Sequence, residues 1–151
     1  MVSALCTNDT LQKLSLTDNT IRGKGAVLFA EMLKTNHPLV DLTLSRCQID
    51  SDGACLLASA LCTNNTLQMM NLRDNSIGGK GAVSFAKVLL KNKSLTVLSL
   101  ADNSIGVEGT QTLIESLTHN STLRFLHLPK MYEPSSATSV TAKSAIRLLY
   151  Y

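Results

Sequence analysis

LQMMNLRDNSIGGKGAVSFAKVLLKN, residues 67–92, decides how this chain is read. Leu67, Met70 and Leu72 are spaced as a short strand with one buried face. Asn75 and Ile77 follow in a turn. Ala82, Phe85, Ala86 and Leu89 then fall at i, i+3, i+4 and i+7, which is one face of a helix. A lone strand and helix cannot bury two such apolar faces. Stacked copies can, so the stretch predicts a solenoid.

The copies are present. A leading leucine recurs at Leu11, Leu39, Leu67, Leu95 and Leu123, every 28 residues. The pattern L-x-x-L-x-L-x-x-N-x-I appears as Leu11, Leu14, Leu16, Asn19, Ile21 and as Leu95, Leu98, Leu100, Asn103, Ile105. It appears with cysteine in the turn as Leu39, Leu42, Leu44, Cys47, Ile49. This register predicts a single domain over 1–151, with repeats at 11–38, 39–66, 67–94 and 95–122. Residues 1–10 read as the tail of a preceding repeat, and 123–151 as a divergent C-terminal repeat or cap. The strand of the first repeat is expected from Lys13 to Thr17 and its helix from Gly25 to Thr35. Its buried helix face is Ala26, Phe29, Ala30 and Leu33. The same face reads Ala54, Leu57, Ala58, Leu61 in the second repeat and Thr110, Leu113, Ile114, Leu117 in the fourth. Asp50 and Ser51 are the expected caps of the second helix.

The last repeat keeps Leu123, Leu126 and Leu128, then departs: Met131 replaces the turn asparagine, and Pro129 and Pro134 interrupt the chain. Residues 136–149 predict a helix with Ala142, Ala145, Ile146 and Leu149 on one face. Tyr150 and Tyr151 are left either to cover core or to fray. A longer period of 56 is also visible, since residues 3–36 match residues 59–92 at about two positions in three. SALCTN at 3–8 recurs letter for letter at 59–64. No polar cap precedes the first repeat, so the chain reads as a fragment of a longer protein or a truncated gene product, with an open end that permits self-association.

This register strongly resembles the leucine-rich repeat, in the 28-residue, helix-bearing subtype of ribonuclease inhibitor. The resemblance covers roughly residues 3–128. It implies an α/β horseshoe, with a parallel sheet on the concave face and helices on the convex face. It also implies that Asn19, Cys47, Asn75 and Asn103 are structural turn residues, cysteine being the family's usual alternative to asparagine. Physically, an asparagine stacked once per repeat can satisfy backbone groups that the turn exposes. Gly25, Gly53, Gly81 and Gly109 recur ahead of the helix, where a small residue is expected to let helix and strand pack closely.

Composition excludes several classes. The net charge is +3 and no Lys/Arg cluster marks a nucleic-acid surface. No segment is long and apolar enough to predict a membrane span, and MVSALCTND lacks the apolar core of a signal peptide. Cys6, Cys47, Cys55 and Cys62 have no metal-ligand spacing. Cys6 and Cys62 occupy one repeat position two repeats apart, at about 10 Å per stacked layer, too far to bridge. Cys55 and Cys62 lie two turns apart on one helix. Four reduced thiols favour the cytosol. Gly23-Lys24-Gly25 and Gly79-Lys80-Gly81 faintly resemble phosphate loops, but no Ser or Thr follows the lysine. The N-x-S/T sequons at Asn8, Asn64, Asn92 and Asn120 share one repeat position and are read as unmodified, absent a secretory signal. His37, His119 and His127 fall in different repeats with no triad partners. No cofactor, metal or small-molecule substrate is predicted.

The exposed strand positions carry the functional reading. Neighbouring strands lie about 4.8 Å apart, so equivalent residues form columns. One column reads Lys13, Asp41, Met69, Val97, Phe125 and turns apolar toward its end. The next reads Ser15, Thr43, Asn71, Ser99, His127. A third reads Thr17, Ser45, Arg73, Ala101, Pro129, edged by Asp18, Arg46, Asp74, Asp102 and Lys130. Large apolar side chains in a row on an open sheet mark a contact site. Met69, Asn71, Arg73, Asp74, Val97, Ser99, Asp102, Phe125 and His127 are therefore the candidate partner-binding residues. Surface drift, or a C-terminal segment folded over the patch, is the competing explanation.

The function so predicted is a non-catalytic protein-interaction module. Among relatives of the subtype, the chain looks most like the repeat region of NOD-like receptors, the intracellular innate-immune sensors, which implies recognition rather than catalysis and a cytoplasmic location. A ribonuclease inhibitor would need a strongly acidic concave face and abundant cysteines, neither of which is present. A Ran-type GTPase-activating protein resembles the same subtype and would use a loop arginine to steady phosphoryl charge. Arg22 fits that loop, but its counterpart is Gly78 and no acidic tail follows.

Overall fold

The computed structural model describes residues 2–36, 38–130 and 147–151. Helices and strands alternate: α1 (Val2–Cys6), β1 (Lys13–Ser15), α2 (Arg22–Thr35), β2 (Asp41–Thr43), α3 (Ser51–Leu61), β3 (Met69–Asn71). Then come α4 (Gly78–Leu89), β4 (Val97–Ser99), α5 (Gly106–Ser116), a 3-10 turn (Leu117–His119), β5 (Phe125–Leu128) and β6 (Arg147–Tyr150). The six strands form one parallel sheet in the order β1-β2-β3-β4-β5-β6. Lys13 pairs with Asp41, Asp41 with Met69, Met69 with Val97 and Val97 with Phe125. The sequence period is thus the sheet register. Strands about 4.8 Å apart backed by helices about 8–10 Å apart force the stack to curve with the sheet inside.

Each three-residue strand points its middle residue into the core. Leu42, Met70, Leu98 and Leu126 are all buried, and the residues flanking them face the concave side. Phe29, Leu57, Phe85 and Leu113 meet them from the helices and are equally buried. The helix faces expected in the four repeats are buried as read. In the first repeat, Leu11, Leu14, Leu16 and Ile21 are only half-buried, whereas their counterparts Leu39, Leu42, Leu44 and Ile49 are enclosed.

Two asparagine ladders staple the turns. In the first, Asn75 Nδ2 donates to Leu44 O (2.9 Å) in the preceding repeat and to Leu72 O (2.9 Å) in its own. Its Oδ1 accepts from the amides of Cys47 (3.1 Å) and Ile49 (2.9 Å). Asn103 repeats the arrangement, donating to Leu72 O and Leu100 O and accepting from the Ile77 amide. Asn19 reaches only carbonyls of its own repeat, Leu16 O and Thr17 O. Cys47 covers the donor half, with Sγ near Leu16 O (3.1 Å) and Ser45 O (3.3 Å). It has no side-chain oxygen to accept with, so the Ile21 and Arg22 amides turn to the Cys47 carbonyl instead. Arg22 sits at φ 56, the left-handed region that its equivalents Gly78 and Gly106 also adopt, whereas Asp50 at the same repeat position is extended at φ −87. Burial pushes the Cys47 thiol above its usual value.

The second ladder lies where helix returns to strand. Asn36, Asn64, Asn92 and Asn120 are all buried. Asn64 Nδ2 donates to Leu33 O (2.8 Å) and Asn36 O (3.4 Å) of the repeat before it, while Oδ1 accepts from the Leu67 amide (2.9 Å). Three of these are the sequon asparagines. In the folded chain Nδ2 of Asn64, Asn92 and Asn120 is committed to carbonyls, which leaves no room for a glycan.

Three expectations are corrected. The helix expected over 136–149 falls largely outside the described residues, as do Met131, Pro134 and His37. Where the chain is described again, residues 147–150 are a strand, paired Phe125↔Arg147 through Leu128↔Tyr150. Leu148 and Tyr150 pack on the core, so a two-residue alternation ending in aromatics wins over the helical spacing that Leu149 suggested. Gly53, Gly81 and Gly109 make room for the preceding helix rather than for a strand, while a Cβ on Gly25 would meet the Ile21 side chain. A Cβ on Gly53 would come within 2.8 Å of Ala26 Cβ, and one on Gly81 within 2.9 Å of Ala54 Cβ. Finally, only Asp50 caps α3, through Oδ1 to the Gly53 amide (2.8 Å). Ser51 instead donates to Ile77 O (2.7 Å), tying α3 to the next turn.

Candidate partner-binding face

The apolar column forms as an in-register row. Met69 is 41% exposed, and its neighbours Val97 and Phe125 are half-buried. The pairing Phe125↔Arg147 closes the row with an exposed cation. Arg147 was not legible as a site residue, because the residues before it read as helix. In the second column, Ser99 is only 5% exposed and Leu149 extends the row beyond His127. Ser99 is therefore floor rather than a reachable contact. Asn71 accepts from the Arg73 amide (3.0 Å), which turns its side chain toward its own strand end.

The third column is held by charge. Arg73 Nε donates to Asp102 Oδ2 (2.7 Å), and Arg46 grips Asp18 with two hydrogen bonds, of 2.5 and 2.7 Å. The Arg46 hydrogen bond holds the Asp18 carboxyl below its usual value, and Asp18 raises Arg46 in turn. These pairs are exposed, so they set side-chain direction more than stability. Asp18, Arg46, Asp74 and Asp102 all stand at positive φ, between 52° and 63°. The left-handed turn after each strand throws these edge side chains to one side of the sheet. Arg22 Nε, on the loop ahead of α2, is occupied by Gln48 Oε1 (3.1 Å).

His127 and Arg73 share a neighbour. The Tyr151 ring lies 5.4 Å from the His127 ring, tilted by 33°, and Arg73 Cζ is 5.5 Å from the Tyr151 ring centre. Burial pushes the His127 pKa down, and the nearby Arg73 charge adds to the effect. The neutral ring is thus favoured by folding. As pH falls through the ordinary histidine range, the unfolded chain takes up this proton first, so the site loses stability on acidification. An NMR titration is expected to place the His127 midpoint below about 6.5. Arg73→Ala is expected to move it upward, though not fully, since burial remains. A midpoint at or above the ordinary value in the native chain would contradict this geometry.

Among the described residues, no three His, Cys, Asp or Glu side chains converge as a metal site, and no helix is long and apolar enough to cross a membrane. No disulfide joins the four cysteines.

Comparison with known proteins fits this architecture. The leucine-rich repeat family matches residues 7–30, 35–58, 63–86 and 91–113. The chain belongs to the leucine-rich repeat family. No curated protein matches the sequence of the chain, whereas 59 chains of solved structures match its fold. The leucine-rich repeat chain superposes on the structure titled Leiomodin-1 actin-binding site 2 with a TM-score of 0.86 and 22% identity, covering 95% of this chain and 84% of that one. It superposes on the tropomodulin C-terminal domain of Caenorhabditis elegans with a TM-score of 0.83 and 13% identity, covering 95% and 88% respectively. At these identities the likeness is one of fold.

Proposed function

We propose that this leucine-rich repeat chain is a non-catalytic protein-interaction module that docks a protein partner on its concave sheet. The observation that carries the reading is the Met69–Val97–Phe125 row. It is a contiguous apolar strip on an open sheet face, bounded by the Arg73–Asp102 pair and by Arg147. The 28-residue, helix-bearing repeats support the ribonuclease-inhibitor-like subtype. Within it we favour the recognition repeats of a cytoplasmic NOD-like receptor or a similar scaffold. A second reading takes actin as the partner, favoured by the fold shared with the leiomodin-1 actin-binding site.

The test compares the native chain with a Met69→Asp, Val97→Asp, Phe125→Asp variant, each checked for folding by circular dichroism. A Leu28→Asp, Leu56→Asp variant, altered on the exposed helix side, is the control. Cytosolic extract supplies candidate partners for capture, and purified actin is the named bait for the second reading. A partner whose affinity falls by more than about tenfold in the concave variant, and not in the control, is the expected result. Equal binding by all three proteins would remove the concave face from the reading.

A further inference from the structure

Tyr151 carries more information about this face than its exposure suggests. Its backbone continues the pairing of β6, the amide donating to Leu128 O (3.0 Å) and the carbonyl accepting from the Lys130 amide. That places its side chain on the concave side, level with Pro129 in the third column. β3 and β6 are three strand spacings apart, about 14 Å, yet the Tyr151 ring stands 5.5 Å from Arg73 Cζ on β3's trailing end. Both side chains therefore lean toward each other across the intervening residues. Those residues are Ala101, which is 1% exposed, and Pro129, also buried. Two compact residues form a low saddle, with Arg73 at one side and the His127 ring at 5.4 Å from the tyrosine.

We propose that this saddle is a seat for one aromatic side chain of a protein partner, and that Tyr151 occupies it as an internal stand-in. The proposal rests on the reading of the concave sheet as the docking face and adds the chemistry that face selects. A guanidinium over a ring face and a second ring beside it favour an aromatic occupant over an aliphatic one. Arg73 is pre-aimed by its bond to Asp102 Oδ2 (2.7 Å), so once Tyr151 leaves, the guanidinium already stands where a ring can receive it. Tyr151 itself is 44% exposed, and among the described residues its ring meets His127 and Arg73 alone. It is displaceable. A partner that must evict it meets a competitor populated most of the time, which lowers apparent affinity by about tenfold.

The test uses the full chain and small probes. N-acetyltyrosinamide and N-acetyltryptophanamide are titrated against the native chain, Tyr151→Phe and Tyr151→Ala, with N-acetylleucinamide as the aliphatic control. The His127 ring and Arg73 Nε resonances are followed by NMR. In Tyr151→Ala, the aromatic probes are expected to give saturable shifts at both residues, and the leucine probe none. In the native chain and Tyr151→Phe, about tenfold more aromatic probe is needed for the same shift. No saturation in Tyr151→Ala, equal response to the leucine probe, or equal titration of all three proteins would each overturn the seat. These readouts do not involve Met69, Val97 or Phe125. If the seat fails them while the aspartate variant still loses its partner, the docking face stands and only its aromatic selectivity falls.

Discussion

Asn92→Ala is expected to destabilise the chain by about 3 kcal/mol, far more than a loop asparagine normally costs. Asn92 is 6% exposed. Its Nδ2 donates to Leu61 O (2.9 Å) and Asn64 O (3.0 Å), and its Oδ1 accepts from the amides of Leu95 (2.8 Å) and Ser94 (3.0 Å). Truncation leaves backbone groups unpaired on three consecutive repeats, at about 1–3 kcal/mol for each buried one before relaxation or water entry. Because a solenoid is held by neighbour contacts, the damage should be local. Urea denaturation gives the magnitude, and hydrogen exchange should show protection lost first in the repeats on either side of residue 92. Asn8→Ala is the internal comparison. Asn8 is only half-buried, and among the described residues its side chain only accepts, from the Thr10 and Leu11 amides. It should cost about 1 kcal/mol or less. Equal costs at the two positions would mean that the ladder does not join the repeats.

Gly81→Ala is expected to destabilise by about 2 kcal/mol, against the sign of helix propensity. Inside α4 an alanine normally improves on glycine by up to about 1 kcal/mol. Here the added methyl would fall 2.5 Å from Ile77 Cγ2 and 2.9 Å from Ala54 Cβ. Ile77 is fully buried and has nowhere to rotate. Ala54 Cβ is fixed to the backbone of α3. The helices must therefore separate, and overpacking of this kind costs about 1–3 kcal/mol. Thermal unfolding of Gly81→Ala beside Ser84→Ala, a half-buried position on the same helix, separates the two effects. A Tm for Gly81→Ala at or above that of the native chain would show that α3 and α4 are not in close contact at this glycine.

The sheet register and the buried helix faces were legible in the sequence because both depend on period alone. A leucine every 28 residues fixes which residues stack, and i, i+3, i+4, i+7 spacing fixes which helix side faces them. Three members of the second asparagine ladder were visible as sequons in one repeat position, but the ladder's role was not. Recurrence says that a residue matters to each repeat and does not say which backbone carbonyl it reaches. The glycines were read as close packing, yet the neighbour that Gly53, Gly81 and Gly109 admit is the alanine of the preceding helix, a partner set by helix spacing rather than by local sequence. β6 was missed because its four residues carry too short an alternation to compete with an apparent helical face. Arg147, Leu149 and Tyr151, which extend the three columns, were lost with it. So was the Arg73–Tyr151–His127 cluster, whose members are brought together by side chains leaning across strands, a geometry with no sequence period.

The most direct test of docking on the concave face is hydroxyl-radical footprinting of the chain with and without its captured partner. Met69 is both the most exposed member of the apolar row and a readily oxidised side chain. Leu28 and Leu56, 48% and 42% exposed on the helix side, serve as reporters of the opposite face. Docking in the concavity predicts that Met69 oxidation drops in the complex while Leu28 and Leu56 stay as reactive as in the free chain. Protection of Leu28 and Leu56, with Met69 unchanged, would contradict it and move the binding surface to the helices.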